Sequence, residues 1–212
     1  IARAWYYTEI VADPADPETV YVLNAPLLKS TDGGKTLTPI PNPHTDQHAL
    51  WVNPEQPHIL ALANDGGATL SYNGGISWSA QDNQPTAQLY RLALDNQFPY
   101  RIYAGQQDNS TLSIPSRTQG AGISSKDWYP VAGGESAFIA LDPNKPGLVY
   151  GGSYLGNLSV YDHQTGQETD IMAYPVLGLA QSPREARYRF NWNAPLIMPL
   201  WEPGVLYHGA NK

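Results

Sequence analysis

Residues 9–23 read EIVADPADPETVYVL, and this stretch decides the fold. An alternating apolar run leads into Asp13-Pro14, a second proline follows at Pro17, and a run rich in β-branched and aromatic residues comes next. An Asp side chain accepts hydrogen bonds from its own backbone two residues on, and proline fixes φ, so the pattern is typical of a tight chain reversal. Residues 9–23 therefore predict two antiparallel strands joined by a turn.

The same phrase occurs four more times along the chain. The central Asp or Asn residues of the five copies are spaced by 40, 42, 47 and 51 residues. β-Propeller blades of four strands recur at roughly 40–50 residues, so this spacing predicts one blade for each copy. The later copies read LWVNPEQPHILAL (50–62), LALDNQFPYRIYA (92–104), FIALDPNKPGLVYG (138–151) and FNWNAPLIMPLWEPGVLYH (190–208).

The repeats predict an all-β chain, a partial β-propeller of four-stranded antiparallel blades with about four and a half blades present. One domain over residues 1–212 is expected. A blade that stops after two strands exposes unpaired backbone groups, so the remaining blades are expected from the parent polypeptide or a partner chain. The expected blades are approximately 5–41, 47–80, 88–131 and 136–172, with a half blade at 188–212.

Composition narrows the classes of partner. The chain has 42% hydrophobic and 15% charged residues, a formal net charge of −7 and no Cys. The negative charge disfavours nucleic acid, and the lack of Cys excludes disulfides and thiolate metal sites. No apolar run approaches the roughly 20 residues of a membrane span. The sequence thus predicts a glycan or protein ligand, no nucleic acid, no membrane span, no metal and no cofactor.

Two glycine-rich stretches carry a turn motif, STDGGKTL at 30–37 and SYNGGISW at 71–78. Both resemble the Asp box, Ser-x-Asp-x-Gly-x-Thr-Trp, of bacterial neuraminidase-type repeats, sortilin-type receptors and xyloglucan-hydrolysing propellers. They depart from it at Leu37, Asn73 and Ser77. The resemblance implies a structural turn in which the short polar side chain caps the turn amides and the last apolar residue packs into the blade. The structural residues it implies are Ser30, Asp32, Gly34, Thr36, Ser71, Asn73, Gly75 and Trp78.

Other phrases, such as NDGG at 64–67 and RFNWNAP at 189–195, resemble bacterial secreted repeat proteins labelled sortilin-like or glycosyl hydrolase. That resemblance implies an extracytoplasmic location in a bacterium: periplasmic, cell-surface or secreted.

The predicted topology separates the turns into two groups. In an antiparallel four-stranded blade, the turns after the first and third strands lie at one end, and the turn after the second strand and the link to the next blade lie at the other. The Asp-Pro hairpins and Asp boxes occupy the first end, which is therefore predicted to have a structural role. The second end carries the candidate ligand-binding residues His44, Asp46, His48, Asn64, Gln107, Asn109, Tyr90 and Tyr154.

Three functions compete for this second end. As a glycoside hydrolase, the chain would use Asp65 and Asp108 as acid and base across a cleft, because inverting enzymes need two carboxyls roughly 6.5–9.5 Å apart. As a metal protein, it would use the His and Asp residues at 44–48 with Asp65, but solvated or backbone-bonded histidines are commoner in such a loop. A recognition or scaffolding surface for glycan or protein needs only polar and aromatic side chains, with no fixed acid and base. This is the predicted function, with hydrolysis as the alternative.

Overall fold

The structure, a computed structural model, describes residues 3–84, 86–175, 182 and 184–212. Within these residues the regular structure is β-strand, apart from one turn of 3-10 helix at Tyr154–Gly156. Every strand pairing is antiparallel and follows chain order within its sheet. The predicted all-β class, built from blade-type sheets, is confirmed. The chain divides into two compact units, Ile1–Thr86 and Ala87–Lys212.

The first unit contains two blades, and their facing surfaces form its core. Tyr21, Leu23 and Leu27 of one blade are buried together with Leu50 and Leu62 of the other. Alternation along each strand presents these apolar side chains to one face, so each blade covers the apolar face of its neighbour. In the described residues the first sheet is β1 (Ile10–Ala12), β2 (Val20–Leu23), β3 (Leu27–Ser30) and β4 (Thr38–Ile40), and the second is β5 (Gln47–Val52), β6 (Leu60–Asn64) and β7 (Gly67–Ser71).

The second unit packs two further blades on each other, with a hairpin beside them. Its core contains Tyr103, Val131, Ala137, Ile139 and Val149. The described sheets are β8 (Ala93–Leu94), β9 (Arg101–Gly105) and β10 (Thr111–Pro115), then β11 (Ile139–Leu141), β12 (Leu148–Gly152), β13 (Leu158–Asp162) and β14 (Gln167–Asp170), and finally the hairpin β15 (Leu196–Ile197) and β16 (Tyr207–His208).

The Asp/Asn-Pro phrase forms the first four hairpins by the expected mechanism, and the fifth departs from it because Pro195 has no amide for Asn193 to bond. The Asp13 carboxylate accepts the Ala15 amide at 2.9 Å, and the Asn53 side-chain oxygen accepts the Glu55 amide at 2.9 Å. One side chain thus satisfies the amide that the reversal would otherwise leave unpaired.

In the described residues, the fourth strands of the second and third blades are reduced to isolated pairs of residues. The Ser79 amide donates to the Leu70 carbonyl, and Tyr129 bridges to Ser113. Thr69 takes over part of the missing pairing in the second blade, because its hydroxyl donates to the Ser79 carbonyl at 2.7 Å. The side chain therefore replaces part of a backbone ladder there.

Candidate functional site

The glycine-rich turn at 30–37 is closed by its own side chains. Ser30 Oγ donates to Asp32 at 2.7 Å and accepts the Gly34 amide at 2.9 Å. Asp32 also accepts the Thr36 amide and hydroxyl, at 2.9 and 2.7 Å. The hydrogen bonds from Thr36, then that from Ser30, lower the pKa of Asp32 to about 2. Three hydrogen bonds to its carboxylate thus hold the turn.

The turn at 71–78 repeats this network with one bond reversed, because Asn73 Nδ2 donates to the Ser77 hydroxyl at 2.9 Å whereas Asp32 accepts from the Thr36 hydroxyl. Ser71 Oγ donates to Asn73 at 3.0 Å and accepts the Gly75 amide at 2.9 Å, and Asn73 accepts the Ser77 amide at 2.9 Å. Gly75, like its counterpart in the first turn, has a positive φ, +89°, that a side chain would strain. Asn in place of Asp therefore leaves the mechanism intact.

The last apolar residues of the two turns behave differently. Trp78 packs against the core of the first unit, and its indole donates to the Pro41 carbonyl at 2.9 Å. Leu37 remains 37% exposed and lies outside that core. The expectation that the final apolar residue fills the blade holds for Trp78 and is wrong for Leu37, because the leucine is too short to span to the neighbouring segment as an indole does.

In the first unit, the predicted residues of the opposite end form a hydrogen-bonded group. His48 Nε2 lies 2.7 Å from an Asp65 carboxylate oxygen. The strand register shifts between Gln47 and Ala49, so His48 lies on a β-bulge, a feature that redirects a side chain from its regular face. Asn64 donates to the His44 carbonyl and to the Gln47 side chain. The buried Gln47, which sequence reasoning missed, ties this group together.

The fifth candidate of this unit, Asp46, binds the chain start. Its carboxylate accepts from Arg3 at 3.1 Å, and the guanidinium also lies over the rings of Tyr6 and Tyr7. The Tyr7 ring stacks on His48, with centroids 6.2 Å apart. His44, Asp46, His48, Asn64 and Asp65 thus lie on connected segments, but no three His, Asp or Glu side chains converge as a metal site requires, in the part of the chain that the structure describes.

In the second unit, Gln107 and Asp108 meet a carboxylate that the sequence did not indicate. Gln107 Nε2 donates to Asp108 at 2.6 Å and to Glu135 at 3.2 Å. Glu135 also accepts the Asp108 amide at 2.7 Å. Asp108 has φ +62°, which is costly for a residue with a side chain, so Glu135 holds a strained turn in place. Asn109 donates back to the Gln107 carbonyl at 3.2 Å.

Next to this turn lies a group of three aromatic side chains. The rings of Tyr154 and Trp192 are nearly parallel, 9° apart with centroids at 5.2 Å, and the Trp192 indole donates to the Tyr90 hydroxyl at 3.2 Å. Tyr154 is 42% exposed and Trp192 is 46% exposed, so ring surface remains open to solvent. We call Tyr90, Tyr154 and Trp192 the aromatic platform.

Hydrogen bonds to backbone carbonyls join the segments of the platform to those of the strained turn. The Tyr90 amide donates to the Gly105 carbonyl at 2.9 Å, and the Asn193 side chain donates to the Ser136 carbonyl, one residue after Glu135, at 2.9 Å. A Cβ at Gly105 would lie 2.6 Å from the Glu135 carbonyl oxygen, a distance that only glycine permits. Hydrogen bonds therefore tie the segments that carry the platform to those that carry the Gln107–Asn109 turn.

The structure brings the predicted residues together in two groups, one in each unit. Asp65 lies beside His48, and Asp108 lies beside Gln107 and Glu135. The two carboxyls proposed as a catalytic pair thus belong to different units, and their pairing stays a prediction. Trp192 was quoted within a repeat but not recognised as a site residue, and only its contact with Tyr90, 102 residues away, identifies it.

No protein-family profile and no curated protein sequence matches this chain. Among solved structures, it is similar to the GH74 xyloglucanase from Xanthomonas campestris, with 18% identity, 99% of this chain and 36% of that chain covered, and a TM-score of 0.38. An ancestral GH74 enzyme matches with 16% identity, 89% and 27% coverage and a TM-score of 0.29. YCF48 from Cyanidioschyzon merolae matches with 14% identity, 76% and 70% coverage and a TM-score of 0.28.

This chain spans about a third of the length of the xyloglucanase that it resembles. The fold class rests on the sheets described above. In the described residues, no helix has the length and hydrophobicity needed to cross a membrane.

Proposed function

We propose that the aromatic platform and the adjoining Gln107–Asn109 turn bind a glycan, and that the chain is a recognition surface of an exported bacterial protein. The observation that supports this most is the open, parallel pair of Tyr154 and Trp192. The negative face of an aromatic ring attracts the C–H face of a sugar, and carboxylate and amide groups at its edge suit sugar hydroxyls. Platform and polar edge together have the makeup of a sugar subsite.

The proposal is tested by calorimetric titration with neutral oligosaccharides such as cello- and xylogluco-oligosaccharides. Trp192→Ala removes a stacking surface, and we expect about a tenfold weaker affinity, corresponding to about 1.4 kcal/mol. Trp201→Ala is the matched control, because Trp201 lies in the same unit, is 83% exposed and is no part of the platform. Equal affinity of both variants and the unaltered chain would refute the proposal.

Glycoside hydrolysis is the second candidate, and one contact favours it. Because the Gln107 amide nitrogen bonds both Asp108 and Glu135, the bonded carboxylate oxygens lie within about 6 Å of each other. Retaining glycosidases use carboxyls roughly 5–5.5 Å apart. Product release that Glu135→Gln and Asp108→Asn abolish, with sugar binding retained, would support this pair. Loss in Asp65→Asn instead would support the pair Asp65 and Asp108, and binding without products leaves recognition alone.

We propose further that the turns at 30–37 and 71–78 are Asp boxes of the neuraminidase type. The shared serine-to-glycine-amide bond of the two turns supports this. The proposed export follows from the resemblance of these repeats to secreted proteins, and cell fractionation of the natural host, with the chain found in the cytoplasm, would contradict it.

The edge of β16 is proposed to receive a further strand of the same propeller. In the four-stranded sheets the second strand pairs on both sides, whereas β16 pairs with β15 alone in the described residues. Large apolar side chains, those of Leu200 and Trp201 among them, are exposed nearby. The His208 amide points to the open edge, so its exchange should be slower in a longer polypeptide or with a partner chain than here, and equal exchange would argue against the added strand.

A further inference from the structure

The seam between the third and fourth blades, both in the second unit, contains a chain of hydrogen bonds through His163. The residue follows β13 of the fourth blade, and its Nε2 lies 3.3 Å from the Tyr103 hydroxyl of β9. Its Nδ1 lies 3.0 Å from the Tyr129 hydroxyl, and Tyr129 pairs with Ser113 of β10. Both tyrosines belong to the third blade. One imidazole from the fourth blade thus joins two hydroxyls of the third.

The donors and acceptors of this chain fit one arrangement. The Tyr103 hydroxyl donates to Asp95 at 3.0 Å, so its oxygen accepts from His163 Nε2–H. Nδ1 then carries the lone pair and accepts the Tyr129 hydroxyl proton. The run of bonds from Tyr129 through His163 and Tyr103 to Asp95 therefore requires a neutral imidazole.

The charged groups around His163 come from both blades. Arg101 of β9 lies 4.8 Å above the Tyr129 ring, and Asp95 follows β8. On the fourth blade, Asp162 precedes His163, and the neighbouring Tyr161 ring contacts it edge-on at 5.3 Å. Burial, and after it the positive Arg101, lower the pKa of His163 below its ordinary value near 6.5, although Asp95 and Asp162 act in the opposite direction. The surroundings favour the neutral imidazole on balance.

We propose that His163 is an acid-sensitive latch: the neutral imidazole joins the third and fourth blades, and protonation at Nδ1 reverses its bond to Tyr129, places a positive charge in the seam and loosens it. A proton on Nδ1 turns an acceptor into a donor, so the Tyr129 hydroxyl must rotate its own proton away from the imidazole. The Tyr129 oxygen then accepts from Nδ1–H, its own proton loses its acceptor in the network, and a second positive charge lies near Arg101.

The sign of the pH effect follows from the direction of the pKa shift. The unfolded chain binds the proton near pH 6.5 and the folded chain only at lower pH. The contribution of His163 to stability is therefore complete above pH 6.5 and is lost as the pH falls through the lower folded value. Loosening is expected on the acid side of pH 6.5, with no change between pH 7 and 8.

Nitrogen-15 NMR of the histidine rings tests the latch in the intact chain. At pH 7.5 we expect His163 with a protonated Nε2 and a bare Nδ1, and a titration midpoint below 6.5. Tyr129→Phe removes the hydroxyl that donates to Nδ1, so the midpoint should rise by about 0.5–1 pH unit. Tyr161→Phe is the matched control, since that ring touches His163 only by its edge, and it should leave the midpoint unchanged.

Amide exchange along β9 and β13 supplies the second readout. Corrected for intrinsic rates, protection should fall between pH 7.5 and 5 in the unaltered chain and change less in His163→Gln. His208→Gln serves as comparison, because burial also lowers the pKa of His208 and its loss should leave the seam response intact. A midpoint at or above 6.5, a protonated Nδ1 at pH 7.5, or equal responses in His163→Gln and the unaltered chain would overturn the proposal. If His163→Gln fails to fold, the histidine ring titrations of the unaltered chain, Tyr129→Phe and Tyr161→Phe test the proposal by themselves.

Discussion

Truncation of the two serines that close the glycine-rich turns should destabilise the first unit unequally. Ser30 and Ser71 are both buried, and each hydroxyl accepts a glycine amide at 2.9 Å. Ser30→Ala and Ser71→Ala remove that acceptor and leave the glycine amide without a partner. The two variants differ in what can replace the lost bond.

The difference lies in the exposure of the two glycines. Gly34 is exposed, so water can bond its amide after the substitution, whereas Gly75 is buried. A buried donor left unsatisfied costs about 1–3 kcal/mol, and a bond that water replaces costs about 1 kcal/mol or less. We expect about 2–3 kcal/mol for Ser71→Ala and about 1 kcal/mol for Ser30→Ala.

Urea denaturation followed by circular dichroism of the β-sheets measures the global effect. Amide exchange at Gly34 and Gly75 assigns each loss to its own turn. Thr31→Ala is the control within the first turn, since Thr31 is exposed. The reasoning is refuted if Ser71→Ala is no more destabilising than Ser30→Ala, or if Gly75 keeps its protection without the serine hydroxyl.

Two further changes have defined outcomes. Asp32→Asn should preserve the first turn, as Asn73 does in the second. It should also remove the loss of stability that protonation of Asp32 causes as the pH falls from 3.8 through about 2. The same acid dependence of the unfolding free energy in both proteins would contradict this. Gly105→Ala would place a methyl group 2.6 Å from the Glu135 carbonyl oxygen and 2.7 Å from the Ala137 amide nitrogen. We expect a stability loss of about 1–3 kcal/mol and weaker glycan binding. Unaltered stability and binding would count against a connection between the platform and the Gln107–Asn109 turn.

The hairpins and the turn networks were within reach of sequence reasoning because their chemistry is local. Asp13 bonds an amide two residues on, and Asp32 bonds one four residues on. Residue type, a neighbouring proline or glycine, and strand alternation specify such contacts without knowledge of the rest of the chain. The fourth strand of the second blade was not predictable in this way, because Thr69 and Ser79 replace its ladder by side-chain bonds that no periodicity marks.

The site residues that the sequence left out share one physical property: their partners are distant in the chain. Glu135 bonds the amide of Asp108 27 positions away, and Trp192 bonds Tyr90 102 positions away. A lone Glu or Trp in a link has the same local appearance whether it packs, binds or faces solvent. Composition could not separate these cases in a chain with 14 Tyr and 6 Trp.

This contrast bears on where function can reside in the fold. At the end that carries the hairpins and glycine-rich turns, Asp32 accepts three hydrogen bonds from its own turn, so most of its capacity is used there. At the second end, the Trp192 indole N–H donates to Tyr90, and nearly half of the Trp192 surface stays exposed to solvent. A group whose bonds fix its position and whose surface stays accessible is preorganised for binding, whereas a group consumed by its turn is not. The platform therefore keeps ring surface accessible to a ligand. The glycine-rich turns instead stabilise the blades that carry it.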